Sequence, residues 1–334
     1  MAIFTVNNVE MVACAVTLGE CHHVIDDEPQ YYEKNPVLLH RLKSIVGMGE
    51  RYVAAPDTSA ADLCHDAAHR LLEAVCCPPS SIGAIVSVTQ TPDQNMPGNA
   101  HVLHHRLGLS KTASAHDLNM GCSGFVYGLS VAAMLAEHGV DNILLVAGDT
   151  LSHRVDPADR AVAPLFGDAG CATLLRYMPG AEPLYFLLGA DGDGLDVIQM
   201  PTEGGFFSMN GYEVFRFSML VQPDMLTQML EYSGHSQEQI DYFVFHQANR
   251  YIVHTVASKA GISEERVPSD IFSRYGNLSS VSIPAVLCGS LADKLACRKS
   301  KVVLQGFGVG LSWAACQITL NMPLCLAPLP LRLR

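Results

Sequence analysis

The sequence predicts an α/β protein in which strands and helices alternate around a large core. Three observations carry that prediction. Short apolar runs bounded by turn residues alternate with helical patterns from about residue 59 to residue 319. Apolar residues make up 49% of the 334 positions and charged residues 16%, a composition of buried cores rather than of disordered chains. The longest apolar helical run, residues 125–136, is too short to span a bilayer.

In the first half, residues 59–75 and 125–137 read as helices, and the apolar runs 84–89, 143–147 and 171–175 read as strands. The second half repeats the rhythm. A strand at 184–189 and a helix at 219–232 are followed by a strand at 242–246 and a helix at 249–260. A helix at 283–295 then leads to closing strands at 301–305 and 311–319, which flank a glycine-rich turn. Pro179, Gly180 and Pro183 punctuate the junction, so the expected division is 1–180 and 181–320, without a residue-level repeat. Residues 321–334 form a Pro- and Leu-rich tail ending in Arg332 and Arg334, which either docks on the body or hangs free.

Charge narrows the partners. A formal net charge of −12 argues against nucleic-acid binding, which needs clustered Lys and Arg, although an acidic partner could still meet a local basic patch. No basic stretch at the N-terminus precedes an apolar run with a small-residue cleavage site, so the expected location is the cytosol, away from membranes. The 11 cysteines are then expected to be reduced thiols, most of them buried as small hydrophobes. Cys76 and Cys77 are adjacent and no C-x-x-C pair exists, so no thiolate metal site is expected. His101, His104 and His105 share a helical face with no carboxylate or thiolate beside them in sequence, and read as a partly exposed surface.

One cysteine stands apart by its context. Cys122 lies in Asn119-Met120-Gly121-Cys122-Ser123-Gly124-Phe125, a glycine-flanked turn between an apolar strand and a long apolar helix. A thiol there would feel the positive end of the helix dipole and unpaired N–H groups, which favour thiolate, while Gly121 and Gly124 would let a substrate approach. Two further residues have suitable settings. His246 ends the apolar strand Tyr242-Phe243-Val244-Phe245 just before a helix, and Asn277 sits in the loop Arg274-Tyr275-Gly276-Asn277-Leu278-Ser279-Ser280. Such a set can do acyl chemistry through a thioester: the thiolate attacks, the imidazole moves a proton, and a neutral amide holds an enolate without protonating it. Each residue also has an ordinary reading, as a core thiol, a buried histidine or an αL turn, and spacing alone does not bring the three together.

The turn around Cys122 resembles the nucleophile turn of β-ketoacyl-acyl carrier protein synthase III, a condensing enzyme of the thiolase superfamily. His246-Gln247-Ala248-Asn249 resembles the family's histidine motif, and Tyr275-Gly276-Asn277-Leu278-Ser279-Ser280 with Ile283-Pro284 its asparagine motif. Gly306-Phe307-Gly308-Val309-Gly310-Leu311-Ser312-Trp313 resembles its closing turn, and Phe166-Gly167-Asp168-Ala169-Gly170 and Asp156-Pro157-Ala158-Asp159-Arg160 match in family order. The glycine spacing of the closing turn, followed by a strand, does not fit a dinucleotide fingerprint. The resemblance implies two similar βαβαβαββ halves in five αβαβα layers and a homodimer in which Met96 of one subunit closes the other's acyl pocket. It implies that Cys122 takes an acyl group from an acyl-coenzyme A or acyl-carrier protein, with the backbone N–H groups of Cys122 and Val309 as oxyanion donors. His246 and Asn277 would then stabilise the enolate of a decarboxylating malonyl thioester, with no metal or redox cofactor. Phe206 and Phe207 are expected at the acyl pocket.

Departures fall on the donor side. Ile45 and Arg41 occupy places where the family usually has an arginine and a tryptophan that grip the adenine nucleotide, leaving Arg160 as the matching contact. Tyr251 takes the place of a family arginine, so carrier-protein docking would use Arg216, Arg250 and Lys259. Val309 replaces a glycine. Three other roles share the fold: an acyltransferase passing the acyl group to an alcohol or amine, a subunit of a heteromeric condensing enzyme, and a thioester hydrolase. Keeping all three reactive residues favours condensation.

Overall fold

The computed structural model describes residues 1–201 and 205–332, so Arg334 of the tail lies outside the described residues. In the first half the elements are β1 (Ala2–Val6), β2 (Val9–Leu18), β3 (Cys21–Val24), α1 (Pro36–Arg41), β4 (Glu50–Val53), α2 (Ala60–Ala74) and β5 (Ala84–Val88). They continue with α3 (Asn99–Arg106), β6 (Ser114–Leu118), α4 (Gly124–Glu137), β7 (Ile143–Asp149) and β8 (Ala169–Tyr177). The second half has β9 (Leu184–Ala190), β10 (Ile198–Gln199), β11 (Ser208–Met209), α5 (Gly211–Ser233), β12 (Tyr242–Phe245), α6 (Arg250–Lys259) and α7 (Ile271–Tyr275). α8 (Ser282–Cys288), α9 (Ala292–Cys297), β13 (Ser300–Gly308), β14 (Ser312–Leu320) and β15 (Leu324–Pro330) complete it.

Two sheets carry the structure, ordered β15-β2-β8-β7-β5-β6 and β1-β9-β14-β13-β12. Helices α2 and α3 cover the outer face of the first sheet through Leu63 to Leu72 and Leu103. Helices α5 and α6 cover the outer face of the second through Met225, Met229, Val253 and Val256. Between the sheets lie α4 and α8, whose Phe125, Leu129, Ile283 and Leu287 share one core with both. Helix α8 is buried along its whole length, so its sequence, Ser-Ile-Pro-Ala-Val-Leu-Cys, has no polar face to display.

The ends of the chain cross between the halves. β1 pairs antiparallel with β9 in the second sheet, and β15 pairs in parallel with β2 in the first. The segment read as a tail is therefore an edge strand over Leu324–Pro330, and each sheet borrows a strand from the other end of the chain. Pro328 and Pro330 suit an edge, where no ladder hydrogen bond is demanded of them, and the register slips between Leu326 and Leu329. Arg70 of α2 fastens the strand by donating to the Ala327 carbonyl at 3.0 Å.

Other differences have local causes. β2 went unread because its last six residues are buried on both faces, which erases the alternation that marks a half-exposed strand. The helix expected at 283–295 breaks into α8 and α9 at Gly289. Helix α5 begins well before 219, where the Asn210 side chain accepts the Glu213 N–H and caps it.

Deleting residues 324–334 is expected to unpair the β2 edge and lower stability by roughly 3 kcal/mol, since each lost hydrogen bond contributes about 1 kcal/mol. Urea unfolding of the shortened and full chains measures it, and equal midpoints would show that β15 contributes nothing.

Candidate active site

The nucleophile turn is built by close backbone approach. Between β6 and α4 the Gly124 N–H donates to the Gly121 carbonyl at 2.7 Å, folding the chain around Cys122. The end of β13 passes directly over it: a Cβ at Gly308 would stand 2.9 Å from the Cys122 Cβ, and one at Gly306 2.8 Å from the Cys122 carbonyl oxygen. Only glycine fits there. The Ser123 hydroxyl meets the Ser312 hydroxyl at 2.7 Å, and Ser312 donates to the Val309 carbonyl at 2.6 Å, which locks the Val309 loop onto the turn. Among the described residues no protein acceptor takes the Cys122 or Val309 N–H. The expectation that Gly124 makes room for substrate is corrected: a Cβ there would stand 2.6 Å from Val88 Cγ1, so this glycine seats α4 on β5.

His246 follows β12, its N–H donating to the Gln305 carbonyl of β13 at 2.8 Å. Asn249 then caps α6 by accepting the Ile252 N–H at 2.8 Å. The imidazole is buried, sets its edge against the Phe307 ring with centroids 5.6 Å apart, and leaves Nδ1 without a hydrogen-bond partner. Burial pushes its pKa down to about 3, offset only in part by the Ser279 backbone. The ring is therefore neutral across the physiological range.

Asn277 is pinned from both sides, its N–H donating to the Leu165 carbonyl at 2.8 Å and its carbonyl accepting the Gly167 N–H at 3.2 Å. Gly276 before it has φ of +78° and no room for a Cβ, which would stand 2.9 Å from the Gly167 nitrogen. The Asn277 Oδ1 accepts the Ser279 N–H at 3.0 Å. That bond orients the amide and leaves Nδ2 as the free donor.

Cys122, His246, Asn277, Ser279 and Val309 line one cavity of about 230 Å³. Its remaining walls are mostly apolar and include Leu151, Val162, Phe166 and Phe207. Burial, then the charge of Asp149, pushes the Cys122 thiol up to about 12, while the Ser279 hydroxyl pulls the other way. The expectation of a resting thiolate at a helix end is thus corrected: burial raises the thiol above its ordinary value. Ser279 and Asp149 had no assigned role in the sequence reading. The one available signal was an aspartate closing the otherwise apolar strand β7.

Not every expected residue joins the cavity. Phe207 lines it and meets the Phe166 ring edge-on at 5.2 Å, whereas Phe206 is 53% exposed and lies outside it. Met96 is 85% exposed. Arg160 pairs with Glu33, and Arg216 with Glu213 at 3.2 Å. The Arg250 guanidinium donates to the Lys43 carbonyl at 2.9 Å and to that of Ser44, bracing the segment after α1. Lys259 is exposed at the end of α6. His104 bonds the Ser110 carbonyl at 2.9 Å, and no group of three metal-binding side chains occurs among the described residues.

A fold with a cysteine turn, a strand-end histidine and a loop asparagine on one cavity defines a thiolase-like condensing enzyme. A family model described as 3-Oxoacyl-[acyl-carrier-protein (ACP)] synthase III matches residues 116–192, and its C-terminal companion matches residues 230–320. The chain is 35% identical over 276 residues to the β-ketoacyl-[acyl-carrier-protein] synthase III of Staphylococcus epidermidis, covering 82% of this chain and 88% of that one. The crystal structure of a 3-oxoacyl-(acyl-carrier protein) synthase from Burkholderia xenovorans superposes with a TM-score of 0.95 at 30% identity, covering 99% of both chains. The 3-oxoacyl-(acyl carrier protein) synthase III of Pseudomonas aeruginosa superposes at 0.86 and 30% identity, covering 94% of this chain and 99% of that one. The chain belongs to the β-ketoacyl-acyl carrier protein synthase III family, and is an acyl-transferring condensing enzyme.

The buried neutral His246 has a consequence for acid stability. Between its unfolded value of 6.5 and its folded value of about 3 the unfolded chain binds the proton and the folded chain does not. Stability therefore falls as pH drops through this window, by roughly 3 kcal/mol at about pH 4. His246→Gln is expected to flatten that slope in urea unfolding at pH values of about 7 and 4. Identical slopes in the two proteins would contradict the assignment.

Proposed function

We propose that the enzyme forms a carbon–carbon bond between an acyl group carried on Cys122 and the enolate of a malonyl-type thioester. The observation that carries this reading is the neutrality of the groups around the thiol: a histidine held uncharged and an amide donor, with no carboxylate lining the cavity among the described residues. In the first step the Cys122 sulfur attacks the donor's carbonyl carbon as the thiol gives up its proton. The oxyanion rests on the Cys122 and Val309 N–H groups; as it collapses, the donor's carbon–sulfur bond breaks and its thiolate leaves with the proton.

In the second step the malonyl thioester loses carbon dioxide, and the electron pair of the broken bond becomes an enolate. Hydrogen bonds from the His246 ring and Asn277 Nδ2 stabilise the enolate oxygen. The enolate carbon attacks the acyl-cysteine, and Cys122 leaves as the thiolate, releasing a β-ketoacyl thioester. Among the described residues no carboxylate lines the cavity to activate water, which disfavours hydrolysis.

Acyl-coenzyme A or acyl-carrier protein would deliver the acyl group in the cytosol, with Arg160, Arg216 and Lys259 as contacts at the surface. A homodimer would place Met96 of each subunit at the other's cavity, consistent with its exposure in the single chain. No described helix is long and apolar enough to cross a membrane.

Incubation with acyl-coenzyme A and acyl-carrier protein panels is expected to add the acyl mass to Cys122, read by peptide mass spectrometry. A malonyl thioester should then discharge it with release of carbon dioxide; discharge by an alcohol or amine alone would select the acyltransferase reading. His246→Ala and Asn277→Ala should slow decarboxylation by about a hundredfold and loading far less. Equal losses in both steps would refute their assigned roles.

A further inference from the structure

A second hollow, of about 360 Å³, adjoins the cavity that holds Cys122. Gln90, Leu151, Ile198, Phe207 and Val309 line both. The two differ in chemistry. The first is walled mostly by apolar side chains, whereas the second brings together Gln90, Asn95, Asn119, Arg154 and Gln199. These come from four parts of the chain: Gln90 and Asn95 from the loop after β5, Asn119 from that after β6, Arg154 from the segment after β7, and Gln199 from β10. No carboxylate lines this hollow among the described residues. Condensation chemistry has no need of these groups, because His246 and Asn277 line the first cavity and not the second.

Arg154 is the cation of the set. It is partly buried, and among the described residues its guanidinium makes one long hydrogen bond, to the Pro201 carbonyl at 3.4 Å, and no ion pair. A guanidinium offers five N–H donors in a planar fork that fits a carboxylate. On its other side Arg154 borders a hollow that includes Asp57 and Asp93. Asp57 is exposed, and the Asp93 carboxylate already accepts the Ser59 hydroxyl at 2.8 Å, the Asn99 amide at 3.1 Å and the Ala61 N–H at 3.2 Å. The Arg154 backbone is held separately from its side chain: its N–H donates to the Leu151 carbonyl at 2.9 Å and its carbonyl accepts the Phe207 N–H at 2.7 Å.

The amides add donors. Gln90 Nε2 donates to Asn119 Oδ1 at 3.3 Å, which occupies an acceptor and leaves the Asn119 amide hydrogens to give. Asn95, Asn119 and Gln199 are exposed in the single chain. An anion placed among them keeps part of its hydration and meets Arg154 without the full cost of burial.

We propose that the acyl group carried on Cys122 ends in a carboxylate, its carbon chain lying against Leu151, Ile198 and Phe207 and its far end held by Arg154 and the neighbouring amides. The substrate class is the half-thioester of a dicarboxylic acid. Loading leaves that end unchanged: the donor's thioester bond breaks, the Cys122 thioester forms, the donor departs as a thiol, and the far carboxylate stays ionised.

The proposal rests on the acyl-cysteine of the proposed function and specifies what it carries. Succinyl, glutaryl and adipyl thioesters of coenzyme A and of carrier protein are compared with thioesters in which an isopropyl group of the same shape replaces the carboxylate. Peptide mass spectrometry follows the acyl mass on Cys122 with time. At low donor concentration the carboxylate-ended groups should load about tenfold faster. Arg154→Gln should slow them by about tenfold and leave the isopropyl-ended groups within about twofold, and Arg154→Lys should restore much of the difference. Equal slowing of both kinds would reduce Arg154 to a brace of the loop and overturn the proposal. Should Arg154→Gln fail to fold, the comparison in the unaltered enzyme decides alone. Equal loading of the two kinds, or a preference for the isopropyl-ended one, overturns the carboxylate and leaves the acyl-transfer reading standing; no loading by either overturns both.

Discussion

The site depends on one steric constraint, the seating of the Cys122 turn beneath the glycine end of β13. That strand belongs to the second sheet, and the turn leads into α4, which is packed between the sheets. Because Gly306 and Gly308 have no side chains, strand and turn approach to backbone contact. The Ser123–Ser312–Val309 chain of hydrogen bonds fixes the register of this contact. The cavity is shared between the halves: the first supplies Cys122, and the second supplies His246 and Asn277.

A second constraint is electrical. The cavity keeps its reactive groups uncharged: burial pushes the imidazole down to about 3 and the thiol up to about 12. A protonated imidazole would quench an enolate by giving it a proton, whereas a neutral ring and an amide can only hydrogen-bond to it. Desolvation therefore costs some acid stability and in return keeps a carbanion equivalent alive long enough to meet the acyl group.

The parts of this arrangement that could be read from sequence are those in which backbone geometry dictates residue type. Cys122, His246 and Asn277 sit at turns whose glycines and flanking apolar runs are forced by sheet ends, and those signals survive in the sequence as motifs. Strands that alternate or carry β-branched runs, such as β5, β7 and β12, were legible for the same reason. Unread elements lack such signatures: β2 is buried on both faces, and β15 is a proline-bearing edge set by a partner far away in sequence, while the strand expected to be apolar before the Cys122 turn is the polar edge strand β6. Ser279 was unreadable at the cavity because its place there comes from a left-handed backbone and from walls distant in the chain. The choice of Phe207 over Phe206 turns on which of two adjacent phenylalanines faces inward, and an irregular loop has no period to decide it.

The donor side follows from how its charges are already engaged. Arg250 braces the carbonyls of Lys43 and Ser44 and packs over Gly47, where even a Cβ would stand 2.7 Å from its own. Removing it would loosen the segment between α1 and β4 rather than merely subtract a charge. Arg160 is exposed and paired with Glu33, so a donor's phosphate would have to displace a carboxylate to reach it. Exposed pairs of this kind are weak, with a median near 0–1 kcal/mol, so such an exchange is cheap and adds little affinity. The cavity, by contrast, is walled by Leu151, Val162, Phe166 and Phe207, which reward buried apolar area. On the proposed function, selection among donors would therefore weigh on the acyl group inside the cavity more than on the charged head group outside it.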